Sequence, residues 1–76
     1  MDESIVIDII AEQLGLAANQ LGEKTIFTDM GADSLDLFQI ISALEEEFEI
    51  EIENEDAEKI KTVGDAMGYI RNALEK

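Results

Sequence analysis

The sequence predicts an all-α protein, a small four-helix bundle with three longer helices, one short helix and a long loop between the first two. Apolar residues recur at spacings of three and four in three separate segments, which is typical of amphipathic helices. The 76-residue chain has no proline, no internal repeat and no Gly/Ser-rich linker. We therefore expect one domain over residues 1–76, with a small hydrophobic core.

The first predicted helix spans Glu3–Leu14. Its apolar stripe has members four positions apart: Val6, Ile10 and Leu14. The β-branched run over residues 5–10 also suits a strand, but the helical spacing continues beyond it and Gly15 suits the position just after a helix. Residues 15–32 are expected to form a long loop with one or two turns inside it, and loops of this length are often functional.

The second predicted helix spans Ser34–Phe48, with an apolar stripe at Leu37, Ile41, Leu44 and Phe48. Residues 48–53 then alternate at period two, which alone indicates a strand. Because a lone strand has nothing to pair with, we expect an extended connector that turns Ile50 and Ile52 inward. A short helical turn is predicted over residues 55–60.

The last predicted helix follows a variant capping box, with Thr62 as N-cap and Asp65 three residues later. It runs to about Glu75 on the stripe Val63, Met67, Ile70 and Leu74. Gly64 and Gly68 each weaken a helix by about 1 kcal/mol relative to alanine. A close helix crossing at Gly68 would be one reason for a glycine there.

Composition excludes several classes of function. The chain has no cysteine and no histidine, so disulfides, Ser-His or Cys-His catalysis and the common zinc sites are excluded. A net charge of −14 argues against nucleic acid and anionic membranes as partners. No EF-hand spacing occurs, and no metal site is predicted. Without a membrane span or a secretory signal in the sequence, we expect a soluble cytoplasmic protein.

The negative charge is concentrated in the middle of the chain. Residues 29–58 hold 12 of the 19 acidic residues and no lysine or arginine. Such a run commonly forms a solvated surface that confers solubility. It also suits a docking face for basic partners, because an unpaired acidic field accelerates their encounter.

A second feature is the segment Asp29–Asp36, which lies where the long loop meets the second helix. Ser34 at this place suits an N-cap. It also suits attachment of a phosphate-linked group, because a helix N-terminus stabilises phosphate by about 0.3–1 kcal/mol. Asp33 and Asp36 oppose free phosphate, so such a group would have to be delivered covalently by an enzyme.

The segment at residues 29–36 reads D-M-G-A-D-S-L-D and closely resembles the attachment motif of acyl carrier proteins, D-L-G-A-D-S-L-D. Other segments also stand at the family's spacing: E-Q-L-G at 12–15, A-L-E-E-E-F at 43–48, E-I at 51–52, A-E-K-I at 57–60 and T-V at 62–63. The resemblance covers essentially the whole chain.

The resemblance implies a non-enzymatic acyl carrier domain over residues 1–76. In the family, a holo-synthase (phosphopantetheinyl transferase) moves 4′-phosphopantetheine from coenzyme A onto a serine, here Ser34. Growing acyl chains then ride on the arm as thioesters, most often in type II fatty acid biosynthesis. The resemblance also implies an apolar acyl pocket, for which the candidates are Phe38, Ile41, Ile52, Ile60 and Met67, residues that equally suit ordinary core packing.

The resemblance further implies a monomer that docks enzymes with basic patches, which build or transfer the acyl chain. The positions carried over for docking are Asp33, Leu35, Asp36, Glu45, Glu46 and Glu58. Three departures concern this surface: Gln39 replaces a common glutamate, Ser42 a common apolar residue, and Asn54 a common aspartate.

Two alternatives to fatty acid synthesis stay open from the sequence. The departures at Gln39 and Ser42 favour a dedicated carrier for a polyketide, an amino acid or a specialised lipid. The bulk charge alone would also suit an unmodified acidic interaction domain, such as a nucleic-acid mimic or an inhibitor of basic proteins.

Overall fold

Residues 2–75 are described by a computed structural model, and they form four α-helices. These are α1 (Glu3–Leu14), α2 (Ser34–Phe48), α3 (Asn54–Ala57) and α4 (Val63–Leu74). Two 3₁₀ helices, Ala18–Gln20 and Phe27–Met30, lie in the long loop. The predicted fold class is confirmed, although the short helix starts at 54 and ends at 57 instead of spanning 55–60. None of these helices is long and apolar enough to cross a bilayer.

Local capping signals set where the helices begin and end. At the start of α1, Asp2 Oδ1 accepts a hydrogen bond from Ser4 N at 3.0 Å. Gly15 ends α1 with a left-handed φ of 69°, a conformation that glycine adopts without steric cost. At α4, Thr62 Oγ1 accepts from Asp65 N at 3.0 Å and Asp65 Oδ2 accepts from Thr62 N at 3.2 Å. The predicted capping box is confirmed.

The core lies where α1, α2 and α4 meet the long loop. Its fully buried side chains are Val6, Ile10, Phe27, Ile40, Leu44, Val63 and Ile70. Each such burial is worth about 1.5–3 kcal/mol relative to exposure. The connector after α2 adds Ile52, which is buried, and Ile50, which is half-buried. Both therefore turn inward, as their alternation in the sequence predicted.

Backbone hydrogen bonds tie the loop segment at residues 23–27, called here the anchored loop, to the start of α4. Phe27 N donates to Lys61 O at 3.0 Å, and Val63 N donates to Thr25 O at 3.0 Å. Gly64 N donates to Glu23 O at 2.8 Å. These bonds hold the anchored loop against residues 61–64, where α4 begins.

The two glycines of α4 have different surroundings. A Cβ placed on Gly64 would lie 2.9 Å from Glu23 O, so the close approach of the anchored loop requires glycine there. A Cβ placed on Gly68 would meet nothing within 4 Å. The expected close helix crossing at Gly68 is therefore wrong, since the tight contact lies one helical turn earlier and involves a loop.

The chain folds back sharply after α2. Glu49 adopts a left-handed φ of 54°, and Ile50 N donates to Glu45 O at 3.1 Å. The Glu45 side chain also reaches the connector, where its Oε2 accepts from Ile52 N at 2.9 Å. Because these two residues are seven positions apart, no local sequence pattern signals this bond.

Candidate functional site

Ser34 is the first residue of α2, and the N-cap is its neighbour Asp33. Asp33 Oδ1 accepts from Asp36 N at 3.0 Å, while Asp36 Oδ2 accepts from Asp33 N at 3.3 Å. This reciprocal pair is a capping box made of two aspartates. The interpretation of Ser34 as the N-cap is therefore wrong. The signal was present in the sequence, as an aspartate followed three residues later by another.

The Ser34 hydroxyl is exposed and has no hydrogen-bond partner among residues 2–75. The chain just before it is held in place: Gly31 has a left-handed φ of 84°, and the buried Ala32 donates its N–H to Phe27 O at 3.2 Å. The loop thus presents an uncommitted hydroxyl at the start of a helix that is already capped.

An apolar groove of about 370 Å³ begins at Ser34 and runs between α2 and α3. Its lining residues are Ser34, Leu37, Phe38, Ile41, Asn54, Ala57 and Glu58. We call this the α2–α3 groove. It places a nucleophilic hydroxyl at one end of a surface that suits an aliphatic chain.

The predicted pocket residues divide into two sets. Phe38 and Ile41 line the α2–α3 groove together with Ser34. Ile52, Ile60 and Met67 are buried in the core and do not line this groove. Phe38 is 64% exposed, so it forms a rim of the groove, whereas the buried Ile41 lies deeper.

The predicted docking residues also divide. Asp33, Leu35, Glu46 and Glu58 are exposed, and Leu35 reaches 66% exposure. Asp36 and Glu45 are half-buried. Both accept backbone hydrogen bonds, from Asp33 N and Ile52 N respectively, and the exposed Asp33 likewise accepts one from Asp36 N.

The exposed docking residues border two grooves. Glu58 lines the α2–α3 groove. Leu35 and Glu46 line a second groove of about 450 Å³ on the other side of α2, together with Gln39 and Ser42. Among residues 2–75, no three carboxylates converge closely enough to hold a metal ion.

These observations fit a covalently attached phosphate-linked arm. The Ser34 oxygen is accessible and free of the cap. The first-turn N–H groups of a helix that lack intrahelical acceptors suit a neighbouring phosphate. The α2–α3 groove gives an apolar surface within reach of the same oxygen.

Comparison with known proteins gives the same class. A family model described as the phosphopantetheine attachment site matches residues 4–70. An acyl carrier protein of Clostridium acetobutylicum is 50% identical over 72 residues, which are 93% of this chain and 94% of that protein. The structure of an acyl carrier protein from Enterococcus faecalis, 35% identical, superposes with a TM-score of 0.75 over 96% of this chain and 99% of that one.

The chain is thus a phosphopantetheine-bearing protein by class, and it belongs to the acyl carrier protein family. The resemblance seen in the sequence is confirmed. The prosthetic group of the family is 4′-phosphopantetheine, and its members are non-enzymatic carriers that work with synthase and transferase enzymes.

Proposed function

We propose that this protein carries growing acyl chains in type II fatty acid biosynthesis and that Ser34 bears its 4′-phosphopantetheine arm. One observation carries the assignment of Ser34: Asp33 and Asp36 cap α2 between themselves, which leaves the Ser34 hydroxyl without a structural task. When attached, the arm supplies a terminal thiol that holds acyl groups as thioesters. The chain has no cysteine, so no thiol of its own competes for the cargo.

The attachment chemistry follows from the position of Ser34. The Ser34 Oγ attacks the phosphorus atom that carries pantetheine in coenzyme A, and its proton passes to a base of the transferase or to water. The pyrophosphate P–O bond breaks, so that Ser34 gains a phosphodiester link to pantetheine and the nucleotide bisphosphate leaves. Asp33 and Asp36 flank this oxygen, and their charges oppose free phosphate at the site. Loading therefore depends on the transferase, and spontaneous anion binding does not contribute.

The other serines of the chain provide matched controls for this assignment. We expect incubation with coenzyme A and a phosphopantetheinyl transferase to add one prosthetic group to the wild-type chain, to Ser4→Ala and to Ser42→Ala. Ser34→Ala should keep its unmodified intact mass. A wild-type chain whose mass does not change would refute the carrier function and would leave an unmodified acidic interaction domain.

We further propose that the exposed Asp33, Leu35, Glu46 and Glu58 dock the transferase and the enzymes that build or transfer acyl chains. Residues 29–58 carry no lysine or arginine, so nothing in this segment neutralises these carboxylates. Their field extends about 8 Å at physiological salt, which is enough to orient a basic patch before contact. Leu35 supplies an apolar contact beside Ser34.

Charge reversal at Glu46 tests the docking surface without touching a capping bond. We expect Glu46→Lys to slow association with a basic partner synthase, most strongly at low salt. Glu12→Lys changes net charge equally but lies on α1, and it should leave the rate nearer the wild-type value. Equal slowing by both variants would show that total charge, and not this surface, governs docking. Glu45→Lys is less informative because Glu45 also holds Ile52 N.

A dedicated carrier for a polyketide, an amino acid or a specialised lipid is the second candidate. It is favoured by Gln39 and Ser42, which place uncharged polar groups in the groove that also contains Leu35 and Glu46. Mass spectrometry of the protein from its own cells separates the two. A ladder of fatty acyl thioesters supports fatty acid synthesis, and a single non-fatty adduct supports the dedicated carrier.

Two further properties complete the proposal, namely a monomeric state and a cytoplasmic location. Mutual repulsion between chains of net charge −14 disfavours self-association. Light scattering should give the mass of one chain at physiological salt, and fractionation should recover the protein with cytoplasmic enzymes. A stable dimer would contradict the first property, and recovery in another compartment the second.

A further inference from the structure

The α3 segment, residues 53–59, forms one wall of the α2–α3 groove. Asn54, Ala57 and Glu58 contribute lining on that side. The helix has only four residues, none of them buried, and its N-cap Glu53 makes no side-chain capping bond. The position of this wall is therefore set by few interactions of its own.

The two ends of the α3 segment are anchored better than its middle. Ile52 on one side and Ile60 on the other are both buried in the core. A displacement of the segment between them would leave both side chains in place. Local openings of this kind are typical of short elements with little buried surface.

One side-chain bond joins the middle of the α3 segment to α4. Tyr69 Oη donates to Asp56 Oδ2 at 3.0 Å, and it lies 3.4 Å from Glu51 O. Both side chains are half-buried. Desolvation and then the neighbouring Asp56 carboxylate raise the pKa of Tyr69, so the phenol keeps the proton that it donates.

The surface of α4 near this bond is open. Gly64 and Gly68 leave a groove of about 340 Å³ whose lining also includes Asp56, Ile60 and Tyr69. A Cβ at Gly68 would meet nothing within 4 Å. Side-chain packing from α4 is therefore sparse at this place. The Tyr69 hydroxyl supplies a polar contact to the α3 segment on the side away from the α2–α3 groove.

We propose that Tyr69 is a positioning residue for the acyl cargo. Its bond to Asp56 holds the α3 segment on α4, so that this wall of the α2–α3 groove stays in place beside a chain carried on Ser34. Loss of the bond lets the wall move outward and exposes the cargo to water. This inference rests on the proposed carrier function and adds a means of protecting the thioester between enzymes.

Amide hydrogen exchange tests, without any cargo, whether the Tyr69–Asp56 bond stabilises the α3 segment. Tyr69→Phe and Asp56→Ala each remove the bond, and we expect the Glu58 and Lys59 amides to exchange about fivefold faster, the effect of one typical hydrogen bond. Asp56→Asn keeps an oxygen acceptor and should stay near the wild-type rates. Unchanged exchange at these amides, or equal acceleration in α1, would overturn the proposal.

The reactivity of a loaded thioester tests the effect on cargo. Wild type and Tyr69→Phe are loaded with octanoyl or acetyl groups, checked by intact mass and treated with hydroxylamine. We expect octanoyl release about fivefold faster in Tyr69→Phe and acetyl release unchanged, because a two-carbon group is too short to lie in the groove. Equal rates for octanoyl in both proteins would refute the positioning role. Failure of the wild-type chain to load would instead refute the carrier function.

Discussion

Two irregular regions border the start of α2, and they are held in opposite ways. The anchored loop is tied to α4 by backbone bonds at Glu23, Thr25 and Phe27, and Phe27 is fully buried. None of the α3 residues is buried. The α3 segment is joined to α4 by the hydrogen bond from the Tyr69 hydroxyl to Asp56. Backbone bonds over a buried aromatic residue make a fixed support, whereas a four-residue helix without a side-chain N-cap is held by fewer contacts.

This difference assigns separate tasks to the two regions. The fixed loop determines where Ser34 stands, because Ala32 N bonds to Phe27 O. On the proposed function, the α3 segment sets how much space the cargo has beside α2. A carrier needs both properties, since its attachment point must be recognised by enzymes while its cargo must enter and leave.

The largest expected effect on stability comes from truncation of Phe27, the buried residue of the anchored loop. Truncation of a buried phenylalanine costs about 3–5 kcal/mol, so Phe27→Ala should leave little folded protein in urea titrations. Phe38→Ala removes the same group from an exposed position and should change the free energy of unfolding by less than about 0.5 kcal/mol. Similar costs for the two variants would contradict the proposed difference between fixed and exposed regions.

The two glycines of α4 give the next largest effect, because one contacts the anchored loop and the other has open space beside it. Gly64→Ala would place a Cβ 2.9 Å from Glu23 O and should lower the stability by about 1–3 kcal/mol. Gly68→Ala has open space and should raise it by up to about 1 kcal/mol through helix propensity. Melting temperatures of both variants are the measurement. Stabilisation by both variants would mean that the anchored loop moves away from α4 at little energetic cost, which would contradict a fixed loop.

The smallest expected effect concerns the pH dependence of the α4 cap. The backbone N–H of Lys61, followed by the Thr62 backbone and hydroxyl, lowers the pKa of Asp65 below its ordinary value of 3.8. A lowered folded-state pKa means that the stabilisation is present above the unfolded value and disappears as pH falls through the folded one.

The stability difference between wild type and Asp65→Asn should therefore shrink progressively as the pH falls below about 5. High salt keeps the changing repulsion among the other carboxylates small. Thermal unfolding at several pH values measures the difference. A constant difference across this range would contradict a charged cap.

The features that could be predicted from sequence are those set by neighbouring residues. The bounds of α1 and α2 follow from apolar spacing, and Gly15 and the Thr62–Asp65 box follow from capping rules that act within one turn. The proposal of Ser34 as the attachment site came from its motif. Only the alternative interpretation of Ser34 as the N-cap fails, because Asp33 occupies that position.

The features that sequence did not predict depend on residues far apart in the chain. The reason for Gly64 is the carbonyl of Glu23, and the bond of Tyr69 to Asp56 spans 13 positions. Neither spacing corresponds to a helix or strand period, so only the packed fold brings these groups together. The groove wall beside Ser34 was missed for the same reason.

The modification state of Ser34 in living cells is the decisive measurement for the proposed role of this serine. The protein is purified from cells that contain a phosphopantetheinyl transferase, and fragment masses locate any added group. We expect a phosphopantetheine or acyl-phosphopantetheine group on the peptide that contains Ser34, and we expect Ser4 and Ser42 to stay unmodified. A protein that stays unmodified in such cells, or that carries the group on another residue, would contradict this role.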